Sequence, residues 1–312
     1  MRCIKQQLNN AEVHFFTKKQ FEPIIAHNPY IDKYFLLDHD IKPILQQLKQ
    51  EKYDYVIDLH HNLRTAQIKF ALRAKAFSFD KLNLRKLLLT QFKINKLPDV
   101  HIVQRYMDTV TSLGVMNDDA GLNYFIAAHD EVDVNKSFGL GKGSFIVYAI
   151  GGQHATKRLP SDMISSIVGQ LKQPVILIGS KEDDQVAQAV LSSAKNSSKV
   201  INACGLYNLN QSVSIVSQSK AVLTHDTAMM HVAAAFRKPV ISVWGNTTPR
   251  FGMSPYYGKE CVPQYIAEVS DLGCRPCSKL GYDKCPKGHF NCMRMQDVTA
   301  IAQAANRLFE IT

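Results

Sequence analysis

Three short segments of this 312-residue chain carry side chains able to handle a phosphorylated ligand, each beside a turn. Lys157-Arg158-Leu159-Pro160 brings two cations to one place. There a lysine acts as a point charge on a departing phosphate, and an arginine makes a forked contact. In Ala221-Val-Leu-Thr-His225-Asp226-Thr227-Ala228-Met229, an apolar run breaks at a turn and resumes with helix-forming residues. The free amides of such a helix start, with the positive end of its dipole, make an anion site, although Asp226 could equally serve only as a cap. Gly179-Ser180-Lys181-Glu182-Asp183-Asp184 repeats the arrangement with carboxylates, suited to ribose hydroxyls or to an ordinary first helical turn.

Two further groups sit apart. Asp58-Leu-His60-His61-Asn62-Leu63-Arg64-Thr65 collects donors and acceptors, and His101 and Arg105 share helical i,i+4 spacing. Cys274, Cys277, Cys285 and Cys292, with His289 nearby, crowd one segment. Their first pair has a zinc-knuckle spacing and the second does not, so a structural zinc site and a reduced, loop-packing cluster both remain open.

Short apolar runs alternate with amphipathic stretches, the rhythm of βα units that build a parallel sheet. Strands are expected at 13–17, 33–37, 55–59 and 76–79, then at 145–150, 175–178, 200–203, 221–224 and 240–244. Helices are expected over 41–51, 62–74 and 100–113, near Ser161, Glu182, Leu209 and Thr227, and from Gln296 to the end. The three chemical segments then follow strands, at the carboxyl edge where open α/β sheets bind ligands. The glycine-rich stretch 138–144 leads into a strand rather than opening a helix, so it is a linker and not a dinucleotide fingerprint. It divides the chain into domains 1–137 and 138–312. The first opens with a helix-like segment in place of the strand that normally launches a doubly wound fold, which suggests a clipped start.

Length favours two domains, and 46% hydrophobic with 21% charged residues is ordinary for a folded protein. A net charge of +10 suits anionic partners. A nucleic-acid module or an aromatic-interleaved basic stripe is missing, so nucleic acid is not among them. The chain has neither a signal core nor an apolar run of membrane-spanning length, which points to a cytoplasmic location with peripheral contact at the inner membrane face.

Taken together, Asp58-Leu-His-His-Asn-Leu-Arg64, Lys157-Arg-Leu-Pro160, Asp226-Thr-Ala-Met-Met-His231 and the terminal Cys-x-Pro-Cys…Cys…Cys292-Met293 resemble glycosyltransferase family nine, the ADP-heptose:lipopolysaccharide heptosyltransferases. The likeness runs in order over nearly the whole chain. It implies a GT-B architecture of two Rossmann-like α/β domains and an inverting, metal-independent transfer without a cofactor. The partners implied are an ADP-sugar donor and an anionic glycolipid acceptor. Lys157 and Asp226 would be catalytic. Donor contacts would come from Thr156, Lys157, Arg158, Asp183, Asp226, Thr227, Ala228, Met229 and His231, and acceptor contacts from His60, Asn62, Arg64 and Arg105. Ala228 stands where the family usually has glycine. The family's opening strand and Gly-Asp loop, whose aspartate serves as base, have no counterpart ahead of Met1-Arg2-Cys3. The sequence therefore leads to a native start upstream or to a nucleotide-sugar-binding remnant with impaired turnover.

Overall fold

A computed structural model of the protein describes residues 1–195 and 197–311. It is an α/β protein of two compact units, the first formed by Met1–Asn83 and Pro98–Asp119, the second by Leu84–Leu97 and Ala120–Thr312.

The first unit contains β1 (His14–Lys18), β2 (Lys33–Leu37), β3 (Tyr55–Asp58) and β4 (Lys75–Ser78). β1 pairs with β2 in parallel, Phe16 opposite Phe35, and β3 pairs with β4, Val56 opposite Ala76. These are two separate two-stranded sheets. In a doubly wound half the launching strand lies in the middle and bonds neighbours on both sides. Here the helix Arg2–Gln7 leads directly into β1, and no described strand bridges the pairs. Phe35, Leu37, Ile44, Leu48 and Ile68 form one core under β1 and β2. Cys3, Val110 and Val115 form a smaller one against Ile57.

The second unit adds β5 (Ile146–Ala149), β6 (Val175–Ile178), β7 (Val200–Asn202), β8 (Ala221–His225), β9 (Val240–Trp244) and β10 (Gln264–Glu268). All pairings are parallel, in the order β10-β9-β8-β5-β6-β7. This is the doubly wound order, counted outward from its first strand, β5, with a switch point between β5 and β8. β5, β6, β8 and β9 are buried at every position. Such runs as Val-Ile-Leu-Ile form strands because branched side chains pack on both faces of a covered parallel sheet. One core, with Ile164, Ile167 and Leu177, lies on one face, and another, with Val213, Val232 and Trp244, on the other. Crossover helices such as Leu209–Gln218 begin in a capping box, here between Asn208 and Gln211.

The division into units falls at 119/120 rather than at 137/138, and the segment between packs on the second unit. Val132 N–H donates to Ser214 Oγ at 2.9 Å, Asn208 Nδ2 to Asp130 Oδ1 at 2.9 Å, and Tyr124 Oη to Asn210 Oδ1 at 2.7 Å. Running up to the stretch read as a linker, Val134–Phe138 is a short helix capped by Asp133, and Gly139 is its left-handed C-cap. The final helix, Val298–Ile311, starts two residues after Gln296; its expected last residue, Thr312, lies outside the described residues. Among the described residues no helix is long and apolar enough to cross a membrane.

Candidate functional site

The second unit's switch point brings together two of the segments singled out above. Lys157 follows β5 on a 3-10 turn, and Asp226 follows β8. Lys157 Nζ lies 2.7 Å from Asp226 Oδ2 and also donates to the Asp226 carbonyl at 3.1 Å. Thr247 Oγ1 donates to the same carboxylate oxygen at 2.7 Å. An ammonium has three hydrogens, so Lys157 keeps one for a ligand.

Asp226 does not cap the helix Ala228–Ala235. The N-cap is Thr227, whose side chain makes no capping bond and instead lies 3.2 Å from Thr224 Oγ1. The first-turn amides of Ala228 and Met229 therefore keep their donors, at the positive end of the helix. Ala228 is exposed; Met229 is half-buried, and so is His231, within the helix.

The remaining donor-side residues hold the loops. His225 is fully buried, and its Nε2 accepts the Leu159 N–H at 3.0 Å, so that nitrogen carries no proton. Burial pushes its pKa down to about 4 against a partial pull upward from the Gly151 backbone. A neutral histidine thus ties the Lys157 loop to the end of β8. Asp183 is buried and accepts from both Ser180 N–H and Oγ at 2.8 Å in a capping box. Its other oxygen faces Arg158 Nη1 at 3.3 Å. Both carboxylate oxygens thus have partners within the protein, which gives Asp183 a local role beside the ribose contact expected of it. A Cβ on Gly151 would lie 2.5 Å from Asp183 Oδ2, and one on Gly179 2.8 Å from Asp183 Cβ, so close approach demands glycine at both strand ends. Thr156 is likewise buried and committed, accepting the Tyr282 N–H at 2.8 Å.

Sequence reasoning missed His225 as a positioning residue, along with Thr247 and Arg275. Arg275 sits inside the Cys-x-x-Cys turn and donates to the carbonyls of Gly245 at 2.5 Å and Thr247 at 3.0 Å, fixing the segment that carries Thr247. The Thr247-Thr248-Pro249 run at the carboxyl end of β9 was the available signal. All seven cysteines are free. Cys274 Sγ lies 3.9 Å from His289 Nε2, and burial pushes the Cys292 thiol up to about 12. Among the described residues no three such side chains are spaced to hold a metal ion.

In the first unit the expected acceptor residues divide between places. Arg64 lines a pocket of about 490 Å³ with Lys18, Lys19, Asp38 and His39, at the carboxyl ends of β1 and β2. Arg105 is buried over the Phe79 ring, 5.4 Å from its centroid, and lines another of about 340 Å³ with Asp80 and Asp108. Asn62 caps the helix Leu63–Leu72, its Oδ1 accepting the Thr65 N–H at 3.0 Å, and His60 is exposed in the turn that Asp58 organises.

Sheets of this order hold ligands at the switch point, and this one presents a cation and open amides there, an arrangement suited to a phosphorylated ligand. The protein's family is more specific. Residues 41–279 match the model of glycosyltransferase family 9 (heptosyltransferase), and the chain belongs to that family. It is 25% identical over 271 residues to a lipooligosaccharide heptosyltransferase 2 of Haemophilus influenzae, covering 80% of this chain and 78% of that one. The crystal structure of a family 9 glycosyltransferase from Veillonella parvula superposes with a TM-score of 0.77 at 19% identity, over 100% of this chain and 92% of the other. The E. coli ADP-heptose lps heptosyltransferase II does so with 0.73 at 17%, over 99% and 92%. The fold is accordingly GT-B, and the protein is a heptosyltransferase-like glycosyltransferase.

Proposed function

We propose that the protein transfers a heptose from an ADP-sugar to a lipopolysaccharide-core or related anionic glycolipid at the inner face of the cytoplasmic membrane, with inversion and without a metal. The observation that carries this is the Lys157–Asp226 pair beside the uncapped start of the helix Ala228–Ala235. In this reading the amides of Thr227, Ala228 and Met229 take the diphosphate, and Asp226 orients the sugar through Oδ1, the oxygen that Lys157 and Thr247 leave open. The acceptor oxygen attacks the anomeric carbon from the face opposite ADP; the bond from that carbon to the phosphate oxygen breaks, and the acceptor proton passes to a base. Lys157 meets the charge that builds on the leaving phosphate, the role a metal fills elsewhere. The cations around the first unit's larger pocket, Lys18, Lys19 and Arg64, suit an anionic acceptor.

Release of ADP from ADP-heptose in the presence of a glycolipid acceptor tests the assignment. Lys157→Ala and Asp226→Ala are each expected to lower turnover roughly 100- to 1,000-fold, the usual effect of removing one preorganised electrostatic group. Full activity in either variant would sink the assignment. One observation favours a second reading, binding without turnover: β1–β4 form two separate pairs rather than one sheet. Calorimetric binding of ADP-heptose with no ADP release, under conditions where an established heptosyltransferase turns over, would select it.

A further inference from the structure

The helix Asn83–Phe92 and the turn after it, 93–97, carry a surface that the donor site does not use. From Leu84 to Leu97 the segment belongs to the second unit. It contains Arg85, Lys86, Lys93 and Lys96 and no acidic residue. Its inward side is anchored: Leu89 is buried, Lys86 lies over the Phe251 ring at 5.9 Å, and Lys93 donates to the carbonyls of Cys274 at 3.1 Å and Pro276 at 2.8 Å. Its outward side is apolar. Leu84 is 69% exposed, Leu87 49% and Phe92 65%, with Ile94 at 47% just beyond. At about 100° per residue, Leu87, Leu84 and Phe92 fall within roughly 140° of the helix circumference.

Large apolar side chains at such exposure, aligned on one helix face, mark a surface meant to be covered. The cations decide what covers it. Arg85, next to Phe92 on the helix circumference, and Lys96, in the turn after the helix, are exposed, and the segment has no acidic residue. An apolar helix face bordered by cations matches a helix that lies in the plane of an anionic bilayer, with its leucines and phenylalanine among the acyl chains and its arginine and lysine at the headgroups. With Lys86 and Lys93 turned inward, Arg85 and Lys96 remain for the covering surface; a partner protein would be expected to answer them with acidic side chains, whereas phosphate headgroups answer them directly. We infer that the helix Asn83–Phe92 docks the protein on an anionic phospholipid surface, through Leu84, Leu87 and Phe92 with Arg85 and Lys96. This goes beyond the catalytic reading and does not depend on turnover.

Co-sedimentation of the full chain with vesicles tests it. The chain is expected to bind vesicles of three parts phosphatidylcholine to one part phosphatidylglycerol, and to bind pure phosphatidylcholine vesicles roughly tenfold or more weakly, with affinity falling as salt rises. The triple variant Leu84→Ser/Leu87→Ser/Phe92→Ser is expected to lose at least about tenfold in partitioning, and Arg85→Glu/Lys96→Glu to lose the preference for the anionic vesicles. ADP binding by calorimetry is expected to be unchanged in both, which establishes that the second unit is folded and keeps this test separate from that of the donor site. Wild-type protein that ignores anionic vesicles, or a triple variant that binds them as well as wild type, would overturn the inference. So would a concentration-dependent dimer that the triple variant abolishes, since the face would then be covered by a second copy.

Discussion

The two units solve the same problem with unequal means. In the second, six parallel strands form one sheet, and four of them are buried along their whole length. In the first, four strands form two pairs, and no residue of β1 is fully buried. The charge divides unevenly too. Lys and Arg outnumber Asp and Glu by 23 to 14 in the second unit and only by 14 to 13 in the first. The unit with the continuous sheet therefore holds both the proposed ligand site and nearly all of the basic excess. A switch-point site needs this rigidity, because Lys157 and Asp226 come from loops after different strands and meet at 2.7 Å only if those strands are fixed in register.

The sharpest way to break this comparison is to cut one apolar strand residue back to alanine in each unit, three carbons at Leu177 and two at Val56. Leu177 in β6 is fully buried, and Leu177→Ala is expected to cost about 2–5 kcal/mol. Val56 in β3 is half-buried, and Val56→Ala is expected to cost about 1 kcal/mol or less. Trp244 is the chain's single tryptophan and is buried in the second unit, so its fluorescence follows that unit while far-UV circular dichroism follows both. In urea, Leu177→Ala should shift the fluorescence midpoint and Val56→Ala should leave it in place. Equal shifts would mean that the units unfold as one body and that the contrast carries no energetic weight.

Acid separates the units by a different route. His225 is held neutral by burial, with its pKa lowered from 6.5 to about 4. The unfolded chain therefore takes up a proton that the folded one refuses, and the second unit loses stability as pH falls from about 6.5 to about 4, by about 3 kcal/mol in all, with no further loss from this group below that. In the first unit, burial pushes Asp58 up, but the Lys69 ion pair and the His60 and His61 N–H bonds outweigh it and leave the carboxyl below its usual 3.8. Its contribution is present above that value and lost only as pH falls below it. The fluorescence midpoint should thus decline across pH 6.5 to 4, and His225→Gln, which keeps an acceptor for Leu159 N–H, should flatten that decline. A wild-type midpoint constant over that range would exclude a buried neutral His225.

The inequality also explains what could be seen in the sequence. β5, β6, β8 and β9 were legible because strands covered on both faces are unbroken apolar runs, and the amphipathic stretches between strands marked the crossover helices, such as the one that starts at Leu209 after β7. β10, Gln-Tyr-Ile-Ala-Glu, was missed because it lies at the sheet's end, where only Ala267 is buried. The helix Asn83–Phe92 was missed because Leu84, Leu87 and Phe92 face outward and leave Leu89 as its one fully buried leucine, too little for a core-facing stripe. At the site, the nearness of Lys157 and Asp226 followed from strand order, but the commitment of Asp183 required its partners. Ser180-x-x-Asp183 has the spacing of a capping box, and its carboxylate fulfils that local role. Asn62 had the same ambiguity, a polar residue at a strand end that could meet a ligand or start a helix.

The smallest expected effect bears on that ambiguity in the less continuous unit. Asn62 and Thr65 bond reciprocally, Thr65 N–H to Asn62 Oδ1 at 3.0 Å and Asn62 N–H to Thr65 Oγ1 at 2.9 Å. Asn62→Ala removes one of these and is expected to cost about 1 kcal/mol, while Asn62→Asp, an equally good cap, should cost little. Hydrogen exchange over the helix Leu63–Leu72 measures this locally, where a mild loss in a small core should appear as faster exchange of that helix with β5–β9 unchanged. Acceptor affinity provides the opposing readout. If Asn62→Asp preserves protection of the helix but weakens glycolipid binding, Asn62 touches the acceptor through its amide NH₂ in addition to capping. If both variants change exchange and binding in proportion, its role is confined to holding the turn from which Arg64 projects.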